Sequence, residues 1–284
     1  MTAYQFTESF AREMDAKDPL AHYRDAFHIP QFHGKESVYL TGNSLGLQPK
    51  KAREFVEQEF LDWQNLGVEG HTEGKNPWLY YHHFLTKQVA AIVGAQEKEV
   101  VVMNNLTANL HLMMVSFYRP TSDRFKIIIE GGAFPSDQYA VDSQARFHGF
   151  DAKEAIVELF PRAGEYTLRE EDILETIRQH GSQLALVMLG GVNYYTGQLY
   201  PMQKITEVAH QVGAFCGFDL AHGAGNVLLN LHDWDVDFAV WCSYKYLNSG
   251  PGGTSGVFVH ERHGKDASIP RFAGWWGHDE KERF

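Results

Sequence analysis

The chain holds 284 residues, with 25 Lys and Arg against 36 Asp and Glu, a formal net charge of −11 and 44% hydrophobic residues. Such a composition excludes disorder and collagen-like repeats and supplies enough apolar side chains for a sizeable core, in a length generous for one domain. The acidic balance counts against nucleic acid as a partner, because such binders need basic residues to displace counterions from phosphate, and is read as a solubility feature.

The first residues, Met1-Thr2-Ala3-Tyr4-Gln5-Phe6-Thr7-Glu8, lack the basic head and apolar run of a secretory signal. No later segment approaches the roughly 20 apolar residues needed to cross a bilayer, so a cytoplasmic protein is expected. A strand-like run at residues 37–40 precedes a Gly-rich turn, and helices are expected over residues 50–66 and 78–94. From there short β-branched runs alternate with longer amphipathic ones. Strands are predicted at residues 99–103, 126–130, 155–160, 184–189, 215–220, 238–243 and 256–260, and helices at 107–117, 136–147, 169–180 and 202–212. This alternation argues for an α/β fold, a largely parallel sheet with helices on both faces, in which ligands collect beyond the carboxyl ends of the strands. Neither repeats nor Gly/Ser linkers divide the chain, so one continuous body is expected. Cys216 and Cys242 fall inside two of the apolar runs and read as core thiols of a reducing compartment.

Several motifs fail on context. Gly42-Asn43-Ser44-Leu45-Gly46 has the letters of a nucleophile elbow, but Pro49 and Lys50 delay the next helix by several residues, so a Gly-rich turn near a ligand is the better reading. Asp233, Asp235 and Asp237 imitate half a calcium loop, with Phe238 where the glycine and Tyr244 where the bidentate glutamate belong; a polar turn before the next strand is expected instead. His82-His83 and His260-Glu261-Arg262-His263 lack zincin spacing, and no acidic or Cys partner is evident for them, so no metal site is expected. Gly250-Pro251-Gly252-Gly253-Thr254-Ser255-Gly256 has neither dinucleotide nor P-loop spacing and leads into a strand, leaving any phosphate to be held another way.

Two segments at the ends of neighbouring predicted strands do carry chemistry. Phe218-Asp219-Leu220-Ala221-His222 ends one apolar run on an acid, and Ser243-Tyr244-Lys245-Tyr246, whose lysine lies 26 positions after Asp219, ends the next on a base. The lysine alone is as well read as a surface charge. Together the two match what pyridoxal phosphate requires: a carboxylate that keeps the pyridine nitrogen protonated, and an ε-amine that forms a Schiff base with the cofactor aldehyde.

The order Asp-x-Ala-His then Ser-x-Lys resembles the fold-type I enzymes that use this cofactor, and further segments narrow the resemblance to the kynureninase family. They are Thr41-Gly42-Asn43-Ser44-Leu45-Gly46-Leu47, Gly70-His71 with Gly74-Lys75-Asn76-Pro77-Trp78, Asn104-Asn105-Leu106-Thr107, Phe134-Pro135-Ser136-Asp137, Tyr195-Thr196-Gly197-Gln198, Gly217 to His222, Trp241 to Asn248, and Gly274-Trp275-Trp276-Gly277-His278. Any one is weak, since Asp-x-Ala-His also occurs in cysteine desulfurases; the ordered set is specific.

The resemblance implies a fold-type I large domain, a mostly parallel seven-stranded sheet flanked by helices, in a homodimer. It makes Lys245 the Schiff-base lysine, Asp219 the partner of the pyridine nitrogen with His222 beside it, and Phe134 the ring stacked on the cofactor, followed into the pocket by Pro135, Ser136 and Asp137. Leu106 and Thr107 would meet the phosphate at a helix start, where free N–H groups and the dipole favour an anion. Tyr244 and Trp275 would also reach the phosphate, the latter from this subunit or its neighbour, while Ser44 and His71 would line the substrate side. Gly190-Gly191 stands where some relatives carry a serine, which puts a hydroxyl contact there in doubt. The implied reaction is hydrolysis of L-kynurenine, or 3-hydroxy-L-kynurenine, to the matching anthranilate and L-alanine, in tryptophan catabolism and NAD biosynthesis, with Tyr244 as general acid/base.

Other readings stay open for the single residues: Phe134, Trp275 and Trp276 as packing, Thr107 as a helix N-cap, His222 as a satisfied buried histidine. For the whole chain the alternatives are another fold-type I lyase, such as a cysteine desulfurase, or a cofactor-binding form with little activity. Residues 1–50 are expected to form a segment contributing to the active site and residues 51–284 the cofactor-binding large domain. The small C-terminal domain of the resembling family, with its arginine for the substrate carboxylate, is expected to be absent from this chain.

Overall fold

The computed structural model describes residues 4–283; the first three residues of the non-signal N-terminal stretch, and Phe284, lie outside it. Seven strands form the main sheet: β1 (Val100–Val102), β2 (Lys126–Glu130), β3 (Ile156–Leu159), β4 (Leu184–Gly190), β5 (Phe215–Asp219), β6 (Phe238–Trp241) and β7 (Gly256–Val259). Each lies within one or two residues of its predicted run. Seven helices of eight residues or more accompany them among the described residues: α1 (Glu8–Lys17), α2 (Ala52–Leu66), α3 (Thr86–Val93), α4 (Leu106–Phe117), α5 (Pro135–Phe147), α6 (Glu170–His180) and α7 (Met202–Gln211).

The strand order is β1-β7-β6-β5-β4-β2-β3. From β3 to β6 every pair is parallel, and β7 runs antiparallel to both β6 and β1. The strand order reverses between β2 and β4, because the chain leaves β2 outward to β3 and returns to β4; crevices at such reversals are where open α/β sheets bind ligands. Period-two alternation divides the strand side chains between two cores. Ile128, Val187, Leu189, Cys216, Phe218, Ala239, Trp241 and Phe258 face α3, α6 and α7, whereas Ile127, Ile129, Leu186, Met188, Phe238, Val240 and Val257 face α4 and α5. Full burial of each large apolar side chain stabilises by about 1.5–3 kcal/mol, which is why strands covered on both faces read as unbroken apolar runs.

Four local expectations are corrected. Residues 37–40 form no strand, and Ser44 sits in a turn closed by Ser44 and Leu45 N–H groups on Thr41 O, with the next α-helix starting only at Ala52, so no nucleophile elbow exists. The predicted helix 78–94 is broken into a 3₁₀ turn (Trp78–Tyr80), a short helix (Tyr81–Phe84) and α3, with Thr86 Oγ1 donating back to His82 O at 2.9 Å across the break. Helix α1 was not predicted; Thr7 caps it by accepting from Phe10 N, and Glu8–Arg12 and Glu13–Lys17 pairs lie along it. The N-cap of α4 is Asn105, whose side chain accepts from Ala108 N, and Thr107 lies one position into the helix.

At the amino ends of the strands, the His260–His263 segment does have acidic partners. Asp237, buried just before β6, accepts from Cys216 N at 2.6 Å, pairs with Arg262 at 2.5 Å, and lies 2.9 Å from His210 Nε2 and 2.8 Å from His263 Nε2. Burial pushes this carboxyl up, but the His210 and His263 hydrogen bonds outweigh it and hold Asp237 below the ordinary carboxylate range. Beside it Glu99 accepts from Gln96 N and Glu261 N and lies 2.9 Å from His232 Nδ1. Glu99, His232 and His260 bring one donor atom each within 4.8 Å. The two imidazoles are stacked, with centroids 4.9 Å apart and planes 10° from parallel, an arrangement that suits packing on a hydrogen-bonded carboxylate. The expected polar turn at Asp233 to Asp237 is present, with Asp235 at φ 59°.

Asp237→Ala removes the hub of this clamp and leaves Arg262 short of a buried partner. A loss of about 3 kcal/mol is expected by urea unfolding, against about 1 kcal/mol or less for Glu36→Gln in the exposed Arg24–Glu36 pair.

Candidate active site

The carboxyl ends of the parallel strands open into a cavity of about 540 Å³. Asp219 is the last residue of β5, and Lys245 follows β6 by four positions; both are buried, at 7% and 9% exposure. Asp219 Oδ1 accepts from Ala221 N at 2.7 Å, which fixes the carboxylate across the strand end. Lys245 Nζ stands 2.9 Å from His222 Nε2 and 5.8 Å from the centroid of the Phe134 ring. An ammonium has only donors, so His222 accepts through Nε2 and carries its proton on Nδ1. Burial, then the Lys245 charge, lowers His222 to about 4, so this imidazole is neutral at physiological pH.

Two helix starts close the other walls. Asn104, in the left-handed region at φ 49°, turns the chain from β1 into α4, and its Nδ2 donates to Asn109 Oδ1. With Asn105 capping, the first-turn N–H groups of Leu106 and Thr107 have no intrahelical acceptor and lie at the cavity wall, a ready site for an anion. Phe134 precedes Pro135 at the first position of α5, where the fixed φ of proline is at home. That start directs Ser136 and Asp137 into the cavity, while Pro135 itself is exposed and outside its wall.

The acids of the pocket behave unlike those at the other end of the sheet. Burial raises Asp219, partly offset by the Ala221 N–H, by Asp137 and by Lys245. Asp137, within hydrogen-bonding reach of Asp219, is pushed well above the carboxylate range by burial and then by the Asp219 charge. Its Oδ1 is buried with no partner in the described chain. Glu130, at the end of β2, completes the trio and is raised to about 7, chiefly by burial. Burial also raises the Tyr244 phenol, to about 12, so it holds its proton at neutral pH.

The cavity thus gathers Leu106, Thr107, Phe134, Ser136, Asp137, Asp219, His222, Tyr244 and Lys245. It does not gather Pro135, Ser44, His71 or Trp275. Ser44 is exposed in the turn ahead of Gly46, whose N–H bonds Tyr244 O at 2.8 Å; a Cβ on Gly46 would stand 2.2 Å from Lys245 O, so only glycine lets this segment lie against the lysine backbone. His71 packs edge-on to Trp78, which Glu59 of α2 holds through the indole N–H at 2.8 Å. Trp275 is 60% exposed, its ring 5.3 Å from that of Trp276. Sequence reading missed Glu130, Tyr194 and Cys242, which line the same cavity. Glu130 carried the signal that exposed Asp219, an acid ending an apolar strand.

The residues fit pyridoxal phosphate on the structure's own terms: free helix N–H groups for an anion, an aromatic face, a buried acid and a buried amine, and an unpartnered buried carboxyl oxygen facing the same space. Residues 38–275 match the Aminotransferase class-V family model. Solved structures with this fold include a cysteine desulfurase from Thermococcus onnurineus NA1 (TM-score 0.65, 19% identity, 93% of this chain and 59% of that one). Another is a C-DES mutant with glycine covalently linked to its PLP cofactor (TM-score 0.68, 17% identity, 82% and 59%). The fold is therefore that of the class-V, fold-type I enzymes. Within that class the chain is 64% identical to a kynureninase of Myxococcus xanthus and 61% identical to one of Koribacter versatilis, covering 100% and 99% of this chain and 67% of each relative. A kynureninase of Nematostella vectensis is 52% identical over 98% of this chain. The chain belongs to the kynureninase family and spans about two thirds of the length of these curated relatives.

The lowered His222 sets a stability signature. Its folded pKa lies below the unfolded value near 6.5, so its burial costs no stability above that pH, and the cost grows as pH falls toward about 4. In the cofactor-free chain His222→Gln is expected to flatten the fall of the thermal midpoint between pH 6.5 and 4, checked by paired melts.

Proposed function

We propose that this chain is the cofactor-binding part of an enzyme that hydrolyses L-kynurenine, or 3-hydroxy-L-kynurenine, to the corresponding anthranilate and L-alanine, within tryptophan catabolism and NAD biosynthesis. The observation that carries the reading is the pairing, in a chain of the kynureninase family, of a buried lysine with a buried aspartate across one cavity that also holds a helix N-terminus and an aromatic ring.

Pyridoxal phosphate, held there, supplies an electron sink for negative charge developing on carbons next to the substrate amine. Lys245 would anchor its aldehyde and, once freed by the substrate amine, take up and return the α-proton at Nζ. The neutral His222 beside Nζ accepts a hydrogen bond without adding a competing cation. Asp219 would hold the ring nitrogen and keep it protonated, Phe134 would cover one face of the ring, and Leu106 and Thr107 would hold the phosphate. Tyr244, a protonated phenol at the cavity wall, is suited to give a proton during hydration of the γ-carbonyl and cleavage of the Cβ–Cγ bond. Ser136 and Asp137 complete the polar wall.

Residues 1–50 would contribute to this site and residues 51–284 would form the cofactor domain; among the described residues, the contact of Gly46 with the Tyr244–Lys245 backbone supports that division. Ser44, His71 and Trp275 would complete the substrate and phosphate sides in a homodimer. Support for a second copy comes from α2, which exposes Phe55, Val56, Phe60 and Trp63 on a surface that monomers rarely leave uncovered. A cytoplasmic location fits the absence, among the described residues, of any helix long and apolar enough to cross a membrane.

Loading with pyridoxal phosphate followed by borohydride tests the assignment. Lys245→Ala should lose the visible Schiff-base absorbance and the reducible cofactor. Tyr244→Phe should keep both while turnover, read as anthranilate fluorescence, falls by about 10²–10⁴. Sulfide from cysteine with no anthranilate from kynurenine would instead place the chain with the desulfurase-like lyases.

A further inference from the structure

Glu130 ends β2 at the place where the strand order reverses. β2 and β4 stay in register only to Ile128↔Val187, while β4 continues beside β5 to Gly190↔Asp219. Past the split, the Gly190 N–H is met by the Glu130 side chain, whose Oε2 accepts it at 2.9 Å. The other carboxyl oxygen occupies the space a side chain at 190 would need, since a Cβ there would stand 2.8 Å from Oε1. A serine at that position is therefore incompatible with Glu130 as it lies here. The carboxyl is 5% exposed and forms a partition, with the cofactor cavity on one side and a second cavity of about 750 Å³, lined by Tyr194 and Tyr200, on the other.

We propose that Glu130 is a positioning residue of this site: its carboxyl bridges the splayed ends of β2 and β4, holds the Gly190 edge beside Asp219, and keeps a proton there so that Asp219 is the carboxylate that carries charge toward the cofactor ring. The proposal rests on the cofactor reading given above. The titratable groups that face Glu130 are Asp219 from β5, Asp137 from α5 and Tyr200 from the loop before α7. Lys245 and His222 stand across the cavity. Tyr200 is raised by burial and His222 is lowered, so both are neutral, and one lysine faces three acids. Three ionised carboxyls in so little water would repel one another strongly, and the group farthest from compensation keeps its proton. Lys245 offsets both Asp219, which also has the Ala221 N–H, and Asp137; Glu130 has only backbone N–H groups, that of Gly190 and its own, and no cation. Its proton is held through the acidic range and exchanged near neutrality, consistent with its rise to about 7.

Glu130→Gln keeps the acceptor for Gly190 and is permanently neutral; Glu130→Leu removes the acceptor as well. The wild-type folded pKa lies above the unfolded one, so wild type loses stability as pH rises from about 4.5 to about 7, and without cofactor the thermal midpoint of Glu130→Gln should gain on wild type over that range. With cofactor bound, Glu130→Gln should keep the visible absorbance, but its pH profile should part from wild type above about 7, where wild-type Glu130 gives up its proton, and its midpoint should fall by about one unit, a tenfold change in proton affinity, because the negative neighbour that forms there is gone. Glu130→Leu should weaken pyridoxal phosphate binding at least tenfold at every pH. The proposal is overturned if the Gln variant superimposes on wild type in both pH profiles, or if the Gln and Leu variants lose binding equally and without pH dependence. Lys245→Ala is run alongside: a borohydride-reducible cofactor surviving in it overturns the cofactor reading itself, whatever the Glu130 variants do.

Discussion

A buried amine set against buried acids at the carboxyl ends of parallel strands is the constraint on which the rest of the molecule turns. Taking Lys245 and Asp219 out of water is costly, and the cost is tolerable only because the sheet delivers them to one place with fixed partners, the Ala221 N–H for the acid and His222 for the amine. Parallel neighbours are what make this possible. β5 and β6 run side by side in the same direction, so the residues just past their ends arrive together. The antiparallel β7 and the edge strand β1 continue the sheet beyond β6, and the loop from β1 into α4 brings the helix N-terminus to the same edge.

How far this was legible in the sequence depends on whether the signal was local. Strands buried on both faces must be apolar throughout, so the central strands stood out as unbroken runs, with Asp219 and Lys245 as charges at the ends of two of them; the half-buried edge strands β1 and β3 stood out by their β-branched residues. The same rule covered Glu130, but its partner is a backbone N–H on a strand 60 residues away, and nothing near residue 130 in the chain announces that β2 and β4 part there. Local signals misled where tertiary contacts override them. Residues 37–40 carry β-branched and aromatic side chains, yet that stretch joins no sheet. The apolar periodicity of residues 78–94 continues smoothly through a break at Leu85, across which the Thr86 hydroxyl bonds the His82 carbonyl. Helix α1 was passed over because its apolar side is short, it buries no residue, and capping with i,i+4 ion pairs holds it instead of packing.

Ser44, His71 and Trp275 belong to motifs that lie outside the cavity wall. Motif matching finds residues by their neighbours in the chain, whereas a cavity wall is defined by neighbours in space. Gly46 illustrates the difference: the motif around it was recognised as a turn near a ligand, and within this chain the contact its missing Cβ permits is with the backbone of the lysine. The His71 segment is likewise held by α2 through Glu59 and Trp78, away from the cavity.

The two ends of the sheet show what distinguishes a structural acid from a working one when burial is the same. Glu99 and Asp237 at the amino ends are as buried as Glu130, Asp137 and Asp219 at the carboxyl ends. Burial pushes all five upward, but the first two are held below the ordinary carboxylate range by backbone N–H groups and histidines that saturate their oxygens. The other three stay raised because their partners are too few or are one another, and one oxygen of Asp137 has none. Leaving buried acids short of donors costs stability in the empty protein. A ligand that brings a protonated ring nitrogen to Asp219 relieves that cost, so the deficit at one end of the sheet is itself a source of affinity and of orientation for what binds there.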